Sequence, residues 1–253
     1  MSFLDRVAAE KHKEVEALLQ SPWPETSQAP APRSLAAALK APPFSAIAEI
    51  KRSSPSQGPI RPGADPIEIA SGYRDSGASA LSILTDAPHF GGHIDDLKAV
   101  RGSVELPLLR KDFLVHPIQV HEARAAGADA VLLIVAMLSI EQLKNLASEA
   151  SSLGMDTLVE VHTADELEVA LEIEAPIIGV NSRDLKTMEI DLSRAETLLS
   201  TIPSHVVRVA ESGIHTPAHR DRMIKAGAQA MLVGTSLMRS PHPGKALKAL
   251  LCG

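Results

Sequence analysis

The chain has 253 residues, 45% of them hydrophobic but only 2% aromatic, so any core it builds is made of Leu, Ile, Val and Ala. Its formal net charge of −6 argues against a protein that coats nucleic acid, and its basic residues are not interleaved with aromatics. A single cysteine, Cys252, allows no intrachain disulfide.

The N-terminus, Met1-Ser2-Phe3-Leu4-Asp5-Arg6, has no apolar signal core, and the aliphatic runs are far shorter than the ~18 residues a membrane helix needs. The expectation is a soluble cytoplasmic protein with neither a membrane nor a nucleic acid as partner. Residues 3–20 carry Phe3, Leu4, Val7, Val15, Leu18 and Leu19 among charges at helical spacing. A proline-rich stretch from Ser21 to Pro32 follows, and then a second short helix over Ser34–Lys40. Residues 1–44 read as a helical extension that packs on the domain formed by residues 45–253, a flexible tail being the alternative.

From Ser45 onward short apolar runs alternate with helical patterns. Strands are predicted near 46–51, 80–85, 106–111, 130–135, 157–161, 177–181, 206–211 and 230–234. Asp65-Pro66 and Thr216-Pro217 each place a capping side chain before a proline at the first helical position. Ser139 to Gln142 and Thr163 to Glu166 fit capping boxes. Gly77, Gly127 and Gly227, each between small residues ahead of a strand, fit left-handed helix ends. Eight such units in about 250 residues predict a (β/α)8 TIM barrel with an N-terminal helical extension, an open doubly wound sheet being the alternative.

Five strands end in residues that a buried strand tolerates only when they are paired. Glu49 and Lys51 share a face by period-two alternation, and Lys111, Glu160, Asn181 and Glu211 arrive from four other strands. Parallel barrels place their chemistry at the carboxyl ends of strands, so these residues are expected to converge there, with Glu160 across the mouth from Lys111. Arg183 shares the face of Asn181 if the chain stays extended. Glu211-Ser212-Gly213-Ile214 after strand seven and Gly234-Thr235-Ser236 after strand eight lie where barrels cradle phosphate. Ser53 to Gly58, after strand one, adds hydroxyls and mobility beside Lys51. The ten histidines show no metal-ligand spacing, and no nucleotide-binding glycine motif occurs. His116, His162 and His215 follow strands near the rim, where single histidines usually cap helices or face solvent.

The chain resembles the indole-3-glycerol phosphate synthase family. The resemblance rests on Ile47-Ala48-Glu49-Ile50-Lys51-Arg52-Ser53-Ser54-Pro55-Ser56, Leu81-Ser82-Ile83-Leu84-Thr85-Asp86, Leu108-Leu109-Arg110-Lys111-Asp112-Phe113, Leu158-Val159-Glu160-Val161-His162, Gly179-Val180-Asn181-Ser182-Arg183-Asp184-Leu185 and Ala210-Glu211-Ser212-Gly213-Ile214. It implies a cofactor-free carboxy-lyase that closes, decarboxylates and dehydrates 1-(2-carboxyphenylamino)-1-deoxyribulose 5-phosphate. By this resemblance Lys111 is the general acid, Lys51 a second cation, and Glu160 the acid/base of dehydration. Glu49 and Glu211 orient the lysines, while Asn181 and Arg183 hold the anthranilate side. Ser54, Ser212, Gly213, Gly234 and Thr235 hold phosphate, Phe90 and Phe113 wall the aromatic ring, and Leu185 is a further substrate-binding residue. The resemblance further implies a monomer and leaves association with other tryptophan-pathway enzymes open. His89, His93, Met188 and Ala210 depart from the family pattern. A Schiff-base aldolase working through Lys111 or Lys51, phosphoribosylanthranilate isomerase and a silent phosphate-binding scaffold are the competing readings.

Overall fold

The computed structural model describes residues 3–41, 44–184 and 187–252. Eight parallel strands close on themselves: β1 Ser45–Ile50, β2 Ala80–Leu84, β3 Leu108–Lys111, β4 Ala130–Ile134, β5 Asp156–Val161, β6 Ile177–Asn181, β7 Val207–Glu211 and β8 Ala230–Val233. Each strand pairs with its neighbours in sequence, and β8 closes the ring on β1, with Ala46 opposite Met231. This is the (β/α)8 barrel the strand pattern predicts.

The helices are α1 Phe3–Leu18, α2 Leu35–Leu39, α3 Pro66–Asp75, α4 Ala87–Phe90, α5 Ile94–Arg101, α6 Pro117–Ala125, α7 Ile140–Ser152, α8 Ala164–Glu172, α9 Leu192–Thr201, α10 Pro217–Lys225, α11 Thr235–Met238 and α12 Pro243–Cys252. Local chemistry sets their ends. Asp65 and Thr216 accept backbone N–H bonds ahead of Pro66 and Pro217, and Ser139 with Gln142 forms a complete capping box. Thr163 forms only half of one. Its hydroxyl accepts the Glu166 N–H, but the Glu166 carboxylate turns to the His162 N–H at 2.6 Å. Gly77, Gly127 and Gly227 adopt φ of 92°, 92° and 98°, the left-handed turn that sends each helix into β2, β4 and β8.

Alternation along the strands builds two apolar shells. Ile47, Leu109, Leu132, Leu158, Ile177, Val209 and Leu232 fill the barrel. Ala48, Leu81, Leu108, Val131, Val159, Ile178 and Met231 face the helix ring through Leu97, Leu143, Leu198 and Met223. The charged groups therefore sit on the inner face above the aliphatic plug.

The N-terminal segment spans the height of the barrel. Leu4 and Val7 of α1 join the inner cluster near Phe113 at the mouth, and Leu35 and Leu39 of α2 join it from the opposite end. The Ala36 N–H donates to Asp156 Oδ2 at 2.9 Å, and the Arg33 N–H donates to Asp129 Oδ1 at 2.7 Å, both at the amino ends of strands. Between the helices, Arg124 and Arg101 hold the carbonyls of Ala29 and Ala31, and Trp23 meets His121 edge to face with ring centroids 4.7 Å apart.

Candidate active site

The carboxyl ends of the strands open into one pocket. Its walls include Glu49, Lys51, Ser54, Phe90, Lys111, Phe113, Glu160, Asn181, Arg183, Glu211, Ser212, Gly213, Gly234 and Thr235, which is every sequence candidate except Leu185. Leu185 lies outside the described residues.

The charged groups form two sets. Lys51 Nζ is 2.7 Å from Glu49 Oε1, as expected of two residues on one face of β1. Lys111 Nζ is 3.2 Å from Glu160 Oε2 and 3.5 Å from Glu211 Oε2. Lys111 and Glu160 are thus in direct contact rather than across the mouth. The short reach of β3 to β5 over a narrow barrel accounts for this. Asn181 Nδ2 donates to Glu160 Oε1 at 3.1 Å, and Asn181 Oδ1 accepts the Arg183 N–H at 3.0 Å.

Burial sharpens the electrostatics. It would lower the pKa of the Lys111 ammonium, but Glu160, Glu211 and Glu49 together outweigh it and keep lysine charged well above its usual range. Burial would raise Glu160, yet Lys111, His162 and Asn181 hold it below the usual carboxylate range. Glu211 is pushed up to about 8 by burial and by the negative charges of Glu160 and Glu49, despite Lys111. Two carboxylates that share one ammonium are thereby driven apart, the pattern by which one site holds an acid and a base together.

Two glycines make this crowding possible. A Cβ on Gly179 would strike Glu211 Oε1 and Leu158, and a Cβ on Gly234 would strike the Glu49 carboxylate. Gly234 therefore makes room for Glu49 as well as lining the predicted phosphate end.

At that end, Ser212 and Gly213 both take left-handed backbone, with φ of 64° and 73°. Ser212 holds a conformation that non-glycine residues adopt only at a cost of order 1–3 kcal/mol. The amino end of α11 opens onto the pocket with no side-chain cap from Gly234, leaving its first amides for an anion. The Ser54 hydroxyl is buried in the pocket wall without a hydrogen-bond partner among the described residues. The segment that carries it folds back on itself as a short hairpin. Ser53–Ser54 pairs antiparallel with Gly58–Pro59, pinned by Arg52, whose guanidinium grips Asp96.

The lining that follows β2 and β3 is aromatic. Phe90 and Phe113 stand with centroids 6.1 Å apart, and Phe3 from α1 meets Phe113 edge to face at 6.3 Å. Phe3 and Met188 line the pocket and were not among the site residues read from sequence. The apolar stripe of α1 carries Phe3, but a stripe alone does not tell a wall of the pocket from ordinary packing. Met188 sits at φ 63° and turns its carbonyl to accept from Arg183 Nη1 at 2.9 Å. His215 also lines the pocket, whereas His116 caps α6 and His162 lies buried behind Glu160.

A closed barrel that gathers buried ammonium and carboxylate groups at its carboxyl end, between an anion cradle and an aromatic wall, belongs to the barrel enzymes that work on phosphorylated substrates by proton transfer. The sequence model of indole-3-glycerol phosphate synthase matches residues 4–250. Indole-3-glycerol phosphate synthase of Mycolicibacterium vanbaalenii is 48% identical over 227 residues, covering 90% of this chain and 84% of its own. That of Chloroherpeton thalassium is 47% identical over 249 residues, covering 95% and 96%. The chain belongs to the indole-3-glycerol phosphate synthase family. The fold is shared more widely. A 3-hexulose-6-phosphate synthase superposes with a TM-score of 0.67 at 16% identity, covering 82% of this chain and 98% of its own. A mutant tryptophan synthase α-subunit from Pyrococcus furiosus superposes with a TM-score of 0.64 at 17% identity, covering 83% and 99%.

Proposed function

We propose that the mouth pocket carries out the family reaction: ring closure, decarboxylation and dehydration of 1-(2-carboxyphenylamino)-1-deoxyribulose 5-phosphate to indole-3-glycerol phosphate. The observation that carries this reading is Lys111, buried between Glu160 and Glu211 in a barrel that matches the family along nearly its whole length. The pocket is polarised to match the substrate, with Phe3, Phe90 and Phe113 at the aryl end and Ser54, Ser212, Gly213 and Thr235 at the phosphate end.

In the first step the ring carbon bearing the carboxylate attacks the ribulose carbonyl. Its oxygen gains negative charge and takes a proton from the Lys111 ammonium. Loss of CO₂ returns the electron pair to the ring. Dehydration then removes a proton from carbon while the new hydroxyl leaves as water. Glu160 takes that proton, and Lys51 protonates the leaving hydroxyl. Glu160 can pass its proton back to Lys111 over 3.2 Å, which leaves one ammonium to be recharged from solvent in each turnover. Glu49 holds Lys51, and Asn181 fixes both Glu160 and the start of the Arg183 loop. Arg183, half-buried at the rim, faces the anthranilate carboxylate before it is lost.

None of these steps calls for a cofactor. We read the protein as a cytoplasmic monomer acting on a diffusible sugar phosphate. Incubation with the substrate should produce indole absorbance and fluorescence in step with CO₂ release. A borohydride-trapped adduct would instead favour Schiff-base chemistry at a lysine.

A further inference from the structure

Lys111 has two carboxylate neighbours of nearly equal standing. Glu160 and Glu211 lie 3.2 and 3.5 Å from its ammonium, and each is 1% exposed. Proximity to the ammonium does not decide which of them removes the proton. Their other oxygens differ. Glu160 Oε1 accepts from Asn181 and lies 3.3 Å from His162 Nε2, within ion-pair distance though outside hydrogen-bond alignment. Among the described residues, Glu211 Oε1 has no hydrogen-bond partner.

His162 owes its position to strand geometry. It follows Glu160 by two residues at the end of β5, so both side chains leave the same face. The ring is 5% exposed and stands behind Glu160, away from the pocket lining. On its far side Nδ1 lies 3.1 Å from Glu166 Oε2. That same oxygen accepts the His162 backbone N–H, so Glu166 clamps both the ring and the chain at its root. The half-formed capping box of α8 has its explanation here: the carboxylate that would have closed the box holds His162 instead.

We propose that His162, clamped by Glu166, is a positioning residue that assigns the base role to Glu160 rather than to Glu211. The proposal rests on the reading of Glu160 as the base given above. Two carboxylates beside one ammonium repel each other, and the one that gains a second cation keeps its charge. Among the described residues, the charged groups facing His162 are Glu160 and Glu166; those facing Glu160 are Lys111, His162 and Glu211, with Glu49 beyond Lys111. Burial would lower the imidazolium, but Glu160 and Glu166 push it up to about 10, so the cation persists through neutral pH.

The test is the pH dependence of kcat in the full-length protein. His162→Gln keeps a hydrogen-bonding amide and removes the charge. Glu160 should then protonate more readily, and the acidic limb of the kcat profile should move up by about one pH unit or more, each unit being a tenfold change in its proton affinity. KM should change little, because His162 does not line the pocket. Glu166→Gln leaves the ring and loosens its clamp, and should move the limb in the same direction by less. A folded His162→Gln protein whose acidic limb coincides with the parent's would overturn the proposal. If His162→Gln does not fold, an unmoved limb in Glu166→Gln overturns it equally. Glu160→Gln separates the two levels. If it keeps parental turnover, the base assignment itself fails. If it is inactive while the limb of His162→Gln stays in place, only the role of His162 fails.

Discussion

Lys11 is the ion on which the docking of α1 depends, and replacing it by Met tests how the pocket is roofed. Its ammonium is 2% exposed and lies 2.9 Å from Asp86 Oδ1, 2.9 Å from Asp112 Oδ1 and 2.8 Å from Glu14 Oε2. Asp112 keeps Arg110 and the Thr85 hydroxyl when Lys11 is lost. Among the described residues, the Asp86 side chain then keeps only the His89 N–H and becomes a charge with no cation in a fully buried position. Removing one partner of a buried ion pair costs about 3–5 kcal/mol. The apolar docking of α1 through Leu4, Val7 and Val15 is worth roughly 5–9 kcal/mol at about 1.5–3 per side chain. The lost pair is therefore between about a third and the whole of the docking energy, whereas the barrel strands are untouched. Lys11→Met should loosen α1 and leave a folded barrel. Phe3 would leave the aromatic wall, so KM should rise about tenfold or more (roughly 1.4 kcal/mol of binding) with a smaller change in kcat. The melting temperature should fall by on the order of 10 °C, and proteolysis should open the connection after Leu18. Adding Asp86→Asn should recover part of the stability, because it removes the stranded charge. Parental KM and melting temperature in Lys11→Met would refute the reasoning.

Lys111→Met should lower kcat by about 10²–10⁴-fold with little change in substrate affinity, and near-parental turnover would make Lys51 the acid. Glu160→Gln should release CO₂ in a single turnover and then stall before indole forms; equal blocks on both steps would show that it serves ring closure as well. Gly179→Ala should push Glu211 off Lys111, lowering kcat and costing about 1–3 kcal/mol of stability by overpacking, and unchanged kinetics would mean that the carboxylate has room to move. Substrate lacking its phosphate should lose kcat/KM severely, since remote binding energy orients the reacting ends; equal values for the two compounds would remove the phosphate cradle from the account.

The barrel was legible because its signals are local and repeated. The helix starts at Asp65, Thr216 and Ser139 and the left-handed turns at Gly77, Gly127 and Gly227 all lie within a few residues of the features they specify. The charged strand ends were legible because period two, together with the carboxyl-end rule, sends them to one place. What escaped was decided by distance across the fold. Sequence could not tell that Lys111 reaches Glu160, since that contact depends on barrel closure. Phe3 reads as one more apolar residue on an amphipathic helix until α1 is set on the mouth. Gly179 reads as an ordinary strand glycine until the carboxylate of Glu211 arrives from the next strand. His162 has the spacing of a same-face neighbour of Glu160, a signal present in the sequence but masked by the usual surface role of lone histidines. Ser53 to Gly58 has the composition of a loop, and its short antiparallel pairing beside the Arg52–Asp96 clamp depends on partners far along the chain.

The strap that runs from α1 at the mouth to α2 at the far end sets an order on synthesis. It is made first, yet every group that fastens it is made later: Asp86 and Asp112 for Lys11, Asp129 for Arg33, and Asp156, 122 residues after Ser34, for the start of α2. Contacts of such long sequence separation form slowly, because a large loop must close before any of them is rewarded. A ribosome that has released only half of this chain has made the partners of Lys11 but not those of Arg33 and Ser34, so the strap can be fastened at one end only. Phe3 reaches the pocket only after the strands it covers have met, so the aromatic wall completes after the barrel does, and substrate binding should mature as the last event of folding.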